Sequence, residues 1–443
     1  MKRLMLSAMH SGSGKTVVTC GLLRAFQRRG MTVESFKCGP DYIDPMFHRR
    51  VLDLPSRNLD LFLQGADGVR MTLAKQTAEL ALIEGAMGFY DGVNGTHEAS
   101  AWQVADTTGL PVILVIRPKG ISLTLGALLK GMMSFRSPSR LAGVILTDCK
   151  PMLYTHLKPI LEQEGLQCLG YLPPMEEAVF ESRHLGLITP DEVSDLQNRF
   201  DAIAEQMERT VDLNGLQALA VDGTEAKYIP KPLARCRIAV ARDEAFCFCY
   251  QDSLDALEDA GAELCFFSPI HDAPPHEVHG LYLCGGYPEL YAETLSKNAA
   301  MTEWVRTALQ GGLPTVAECG GFLYLLEELT DQSGQTWPMA AVLPGGSRGT
   351  GSLRRFGYLH LTSEKDSLLF RRGEAVPAHE FHYWEADCCG QDLIAVKPSG
   401  RTWRCAYVGS TLYAGFPHLH LGGSLPLARR FVDAAMEYKE KRC

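Results

Sequence analysis

Twice along the chain, apolar runs of strand length alternate with segments of helical period, and the alternation breaks once in between. In the first half the runs are LMLSA, TVESFKC, LALIEG, PVILVI and LAGVILT, separated by segments such as VVTCGLLRAFQRR and LTLGALLKGMMSF. Such alternation predicts a parallel sheet with helices on both faces. The pattern lapses over residues 213–234, where Gly, Pro and charge occur without a sustained period. It restarts with CRIAVA, a helix through SLDALEDAGA, then ELCFFSP, GLYLCGG, a helix near NAAMTEWVRTALQ, and PTVAECGG. From residue 338 onward the chain is richer in Gly and aromatics and reads as mixed strands and turns. A chain of 443 residues exceeds one ordinary core. The expectation is an α/β protein of two domains, 1–220 and 235–443, joined by a linker at 221–234.

Charge and cysteine usage narrow the function classes. The net charge is −9 and no basic block occurs, which argues against nucleic acid as a partner. The apolar stretches are strand-length, so no transmembrane helix and no membrane partner is expected. Lys2 and Arg3 precede too brief an apolar run for a signal peptide. The fourteen Cys show neither CxxC pairs nor metal-site spacing, and read as reduced thiols of a cytoplasmic protein.

The first alternation opens on SAMHSGSGKT, residues 7 to 16. It ends as a phosphate-binding loop does, although Met9 stands where G-x-x-x-x-G-K-[ST] has its first Gly. Gly12, Ser13 and Gly14 would turn backbone N–H groups toward a phosphate, Lys15 would add positive charge, and Thr16 would offer a hydroxyl to Mg²⁺. A helix N-terminus follows, which favours an anion. The next strand ends in FKCGPDYIDPMFH and a third in LIEGAMGFYDG. Ligands bind along the carboxyl edge of parallel strands, so Lys37, Asp41, Asp44, Glu84 and Asp91 are expected near the phosphates. Mg²⁺ needs only Thr16 and one or two of these carboxylates. For each carboxylate alone the competing role is a turn or a helix cap, above all for Asp44 before Pro45.

In the second alternation PTVAECGGFLYLLEEL reads as strand, tight turn and helix, with Cys319 at the turn. Gly320 and Gly321 allow the bend and leave room for an oxyanion site, and the helix N-terminus is expected to lower the thiol pKa. This context favours a nucleophile over a buried structural cysteine. Candidates for its base are His418 and His420 in YAGFPHLHLGG and His379 and His382 in AHEFHYW. Strand alternation puts His418 and His420 on one side, so spacing does not choose between them. For His379 and His382 a packing or substrate-contacting role is preferred. Gly285 and Gly286 in LCGGYPEL would serve as oxyanion donors near Cys319, or form a strand-end turn.

Taken together, these residues resemble the cobyrinic acid a,c-diamide synthase family, which joins a dethiobiotin-synthetase-like ATP domain to a class I glutamine amidotransferase domain with a flavodoxin-like fold. The resemblance spans nearly the whole chain. It rests on SGSGKT, FKCGPDYIDPMFH, RNLDLFL, EGAMGFYDG, ESRHLGL, IAVARDEAFCFCY, LYLCGGYPEL, AECGGFLYL and HEFHYW. It implies that ATP phosphorylates a propionate or acetate carboxylate of a corrin precursor, while Cys319 releases ammonia from glutamine and the ammonia displaces the phosphate. Lys15 and Lys37 would neutralise the phosphoryl group, with Mg²⁺ on Thr16, Glu84 and Asp44. The C-terminal motif assigns the base to His418. Related amidotransferases often carry His-x-Glu there, and this chain has His420 in place of the Glu. The implied partners are small molecules: ATP, glutamine and a corrinoid or related tetrapyrrole. A homodimer is compatible with the sequence.

Three positions depart from the family pattern. Arg117 stands where an Asp is usual, Thr147 where an Asn is expected near the nucleotide base, and Pro377-Ala378 replaces Arg-Gly before HEFHY. The same chemistry on nickel-sirohydrochlorin or hydrogenobyrinic acid is therefore an alternative. A P-loop switch of the partitioning-ATPase kind would account for residues 1–210 but would leave Cys319 idle.

Overall fold

The computed structural model describes residues 1–183, 186–187, 189–223 and 233–442. The chain divides into two compact units, Met1–Tyr228 and Ile229–Cys443.

The first unit is built on a sheet whose strands are β1 (Lys2–Ala8), β2 (Val33–Cys38), β3 (Arg57–Leu59), β4 (Leu80–Glu84), β5 (Val112–Ile116), β6 (Leu141–Thr147) and β7 (Gln167–Leu172). Their order is β3-β2-β4-β1-β5-β6-β7, and every pair is parallel. β4 and β5 are buried at every residue, as helices on both faces require. All five apolar runs of the first half are strands; β3 and β7 were not singled out in the sequence. The lapse in pattern at residue 213 does not start a linker. Leu213–Leu219 is a helix capped by Asp212, with Leu213 and Leu216 buried, and Val221–Asp222 pairs antiparallel with β1. Of the expected linker 221–234, residues 224–232 lie outside the described residues, as do His184 and Leu185 of ESRHLGL.

The second unit has its own sheet, with strands Ala262–Phe267, Cys236–Ala241, Gly280–Leu283, Thr315–Glu318 and Leu412–Gly415 in spatial order, all parallel. In sequence order within the unit this is 2-1-3-4-5, the flavodoxin-like arrangement. Tyr407–Val408 closes one edge antiparallel. The expected mixed strands beyond residue 338 belong to two further sheets, one of which also takes Glu328–Thr330 and Thr336–Pro338. The other is five-stranded and carries Arg355–Ser363, Ala375–His382 and His418–Leu419. The expectation of strands and turns to the end is corrected by a C-terminal helix, Leu425–Glu440. Its period had been masked by the Gly-rich stretch before it, but Leu427, Ala428, Phe431, Val432 and Ala435 recur at helical spacing and are buried.

Candidate active sites

Strand order assembles the first site. β2 and β4 are neighbours, with Lys37 registered opposite Glu84, so the two side chains share a face at the carboxyl edge. Helix α1 (Lys15–Arg28) starts directly after the loop and places Thr16 there too. Gly12 and Gly14 have φ of 77° and 86°, so the loop uses the left-handed conformation that glycine adopts without strain. Thr16 Oγ1 donates to Asp44 Oδ1 at 3.0 Å or Glu84 Oε1 at 2.9 Å. Lys37 Nζ lies 2.5 Å from Asp44 Oδ2 and 3.0 Å from Glu84 Oε1.

A residue not singled out completes this cluster. His48 sits in helix α2 (Ile43–Leu52), one turn after Asp44, and its Nε2 is 2.7 Å from Glu84 Oε2. Its Nδ1 meets Ser56 Oγ at 3.2 Å. The i,i+4 spacing of Asp44 and His48 was the available signal.

The charges are set by competition between burial and neighbours. Burial alone would raise Glu84, but Lys37 and the His48 hydrogen bond hold its carboxyl well below the usual range. Burial acts against the Lys37 ammonium too, yet Asp44 and Glu84 push its pKa up. Asp44 is raised to about 8 by burial, by Asp41 and by Glu84. Lys15 is lowered to about 8 by burial and by Lys37, and its Nζ donates to the Met87 carbonyl at 2.7 Å.

The remaining carboxylates do other work. Asp41, not Asp44, caps α2, its Oδ1 accepting from the N–H groups of Ile43 and Asp44 at 2.8 and 3.1 Å. Asp91 Oδ2 accepts from Gly88 N–H at 3.0 Å inside its own turn. A cavity of about 380 Å³ adjoins the loop, lined by Gly12, Gly14, Arg117, Thr147, Asp148 and Leu172 among others. Thr147 Oγ1 donates to the Ser13 carbonyl at 2.8 Å, and Arg117 pairs with Asp148. Two of the three departures thus support the loop or line the cavity beside it. Pro377 lies elsewhere, opposite His360 in the five-stranded sheet.

The second site sits at the carboxyl end of Thr315–Glu318. Cys319 has φ 48° and ψ −103°, a strained elbow for a non-glycine residue. Its N–H donates to the Gly415 carbonyl at 2.7 Å, and its Sγ lies 3.9 Å from the Phe381 carbonyl oxygen. The expected lowering of its pKa is not found. The helix that follows, Gly320–Leu325, has only six residues, while burial and the Glu289, Glu380 and Glu318 carboxylates push the thiol well up. A Cβ on Gly320 would come within 3.0 Å of the Gly286 nitrogen, so that amide lies beside the elbow. A Cβ on Gly285 would meet His418 Cε1 at 2.4 Å. Gly285 therefore makes room for the imidazole.

The four histidines separate cleanly. His382 has both ring nitrogens engaged, Nδ1 with the Trp384 carbonyl at 2.6 Å and Nε2 with Glu380 at 2.8 Å, and it stacks on Phe416. His420 is not on the strand with His418, because the strand ends at Leu419. Its ring packs on Tyr250 and its Nδ1 accepts from Gly423 N–H. His379 packs edge-on against Phe356 and Tyr358. His418 is registered opposite His379, lies against Gly285, and has Nδ1 3.9 Å from Glu318 Oε2. Burial, reinforced by His379 and His382, lowers its pKa to about 3, so the ring is neutral in the resting site.

Comparison with known proteins places both units. Residues 4–186 match the CobQ/CobB/MinD/ParA nucleotide binding domain, and residues 237–422 the CobB/CobQ-like glutamine amidotransferase domain. A cobyrinate a,c-diamide synthase of Clostridium tetani is 35% identical, over 98% of this chain and 100% of its own length. The chain belongs to this family. A second member, from Clostridium acetobutylicum, is also 35% identical over 98% of the chain, and one from Thermoplasma volcanium is 34% identical over 99%. Membership makes the chain an enzyme, a glutamine-dependent ligase that uses a nucleotide. No helix among the described residues is long and apolar enough to cross a membrane.

Proposed function

We propose that this enzyme amidates the a and c side-chain carboxylates of cobyrinic acid in cobalamin biosynthesis, with ATP and glutamine as co-substrates. One observation carries the reading. The chain holds both a phosphate-loop site, where Thr16 and Lys37 each meet Asp44 and Glu84, and a thiol elbow next to the Gly285–Gly286 turn against which a neutral imidazole lies. Relatives named for this reaction match it end to end.

A carboxylate is a poor electrophile until an oxygen becomes a leaving group. The γ-phosphoryl of ATP passes to a substrate carboxylate oxygen and ADP departs. Lys15 exchanges the Met87 carbonyl for a phosphate oxygen, and the loop N–H groups of Ser13 and Gly14 face the same charge. Thr16, Asp44 and Glu84 offer an all-oxygen donor set of the kind Mg²⁺ takes, and they would hold that ion. When bound, it supplies positive charge to the phosphates. Lys37 already lies between the two carboxylates and keeps Glu84 charged, while Asp44, raised to about 8, is the one it does not fully hold ionised.

In the second unit His418 accepts the Cys319 proton, and the thiolate attacks the glutamine amide carbon. Amide N–H groups at Gly286 and Gly320 face the developing oxyanion. The protonated imidazole returns its proton to the leaving nitrogen as ammonia departs, and water then releases glutamate from the thioester. Ammonia adds to the acyl phosphate carbon, and phosphate leaves.

The test is incubation with Mg-ATP, glutamine and cobyrinic acid, followed by product mass. Each amidation replaces OH by NH₂; two ATP-dependent steps that stop at the diamide are expected. Glutamine hydrolysis with no change in cobyrinic acid would reject this substrate, and nickel-sirohydrochlorin and hydrogenobyrinic acid would be assayed next.

A further inference from the structure

The neutral His418 poses a problem. When it takes the thiol proton it becomes a cation in a buried site, and the carboxylate that usually supports such a histidine, two residues on, is here His420. We infer that Glu318, the residue immediately before the nucleophile, is the positioning carboxylate for His418. This rests on the glutaminase reading above.

Glu318 is buried and ends the strand Thr315–Glu318. Its Oε1 accepts from the N–H of Leu419, the residue after His418, at 2.9 Å. Its Oε2 accepts from Tyr282 Oη–H at 3.0 Å and lies 3.9 Å from His418 Nδ1. One side chain thus grips the strand that carries the base, anchors on a neighbouring strand, and presents an oxygen to the imidazole. Because it adjoins Cys319 in sequence, the same backbone fixes nucleophile and support. A buried carboxyl with a single structural task needs no third contact of opposite chemistry, yet this one faces the ring that must become cationic.

Glu318 is the carboxylate in place to balance that charge, with its Oε2 3.9 Å from the ring, while Glu289 acts on the Cys319 thiol. His379 and His382, on the strand opposite His418, disfavour its protonation. Glu380 is engaged by His382 and lies 3.5 Å from Arg355. Tyr282, with Cys249 and Cys284 near it, faces Glu318 from the adjacent strand. Burial raises the Glu318 carboxyl to about 8, against the hydrogen bonds from Leu419 and Tyr282. Its ionisation therefore strengthens as pH rises through that value, and support for the imidazolium strengthens with it.

The experiment uses the full chain and reads two quantities: glutamine hydrolysis, and the pH profile of Cys319 alkylation by iodoacetamide. For Glu318→Gln, kcat for glutamine should fall more than tenfold with KM within twofold, and alkylation at pH 7 should slow by a similar factor. A two-step denaturant unfolding profile of the full chain that matches wild type reports that both units of the variant are folded. Wild-type kcat and an unchanged alkylation profile would overturn the inference. If Glu318→Gln fails to fold, Tyr282→Phe decides. Losing the hydroxyl donor keeps Glu318 protonated to higher pH, so the alkylation profile should move to higher pH; an unmoved profile would overturn the inference. Glutamine hydrolysis that survives Cys319→Ser in the wild-type background would instead refute the glutaminase reading itself.

Discussion

Both candidate sites lie at the carboxyl edge of a parallel sheet, and both bury ionisable groups, yet burial acts on them with opposite outcomes. In the first unit Lys37 meets Asp44 and Glu84 at hydrogen-bond distance, and the mutual attraction keeps Lys37 and Glu84 charged against the cost of desolvation. In the second unit burial and the Glu289, Glu380 and Glu318 carboxylates leave the Cys319 thiol protonated, and burial leaves His418 neutral. The first arrangement suits a site that must receive a polyanion. The second suits a site where charge is created only during reaction. A buried group's charge is thus decided by whether a counter-charge is built in beside it.

The sharpest way to break this comparison is to delete one nucleophile and watch both nitrogen sources. Cys319→Ala should cut glutamine-dependent amidation by more than about 10³-fold while synthesis from added ammonia persists. A folded variant that ammonia does not rescue would show that the two half-reactions are not divided between the units.

The converse substitution is Lys15→Ala. It should lower synthesis from glutamine and from ammonia alike, by about 10³-fold, because the phosphoryl transfer serves both. Retained ammonia-dependent synthesis would remove Lys15 from that step.

Gly285→Ala probes the space beside His418. The added Cβ, 2.4 Å from Cε1, must displace the ring, and glutamine hydrolysis should fall about 10²-fold with no loss of nucleotide affinity. Wild-type hydrolysis rates would show that the ring tolerates displacement.

The smallest effect concerns pH. His379 and His418 are both lowered from 6.5 to about 3 in the fold. Between those values the unfolded chain binds protons that the folded chain refuses, so stability is complete above pH 6.5 and falls as pH drops toward 3. His379→Gln should reduce that loss between pH 6.5 and pH 4 by about 3 kcal/mol, read from denaturant unfolding at each pH. An unchanged slope would mean that His379 is not protonated on unfolding in this range.

How far the residues themselves announced these sites depended on distance along the chain. Lys15 and Thr16 were legible because the loop, the preceding strand and the following helix are contiguous. Cys319 was legible for the same reason. His48 was not, although its helix carries Asp44 one turn earlier, because its partner Glu84 lies on a strand far along the chain. Glu318 stood inside the quoted AECGG, but its contacts with Tyr282 and Leu419 come from other strands. The expectation that the helix N-terminus would activate the thiol failed because burial of Cys319 outweighs so short a helix.

The sequence by itself determined the strand–helix alternation, the two-unit organisation it implies, and the local motifs that place a phosphate loop and a thiol elbow at strand ends. These follow from periodicity and turn chemistry, which act over a few residues. Only the tertiary structure decided which carboxylates meet Thr16 and which of the four histidines lies against Gly285. Those outcomes depend on strand order and register, because residues distant in sequence share a site only when their strands become neighbours.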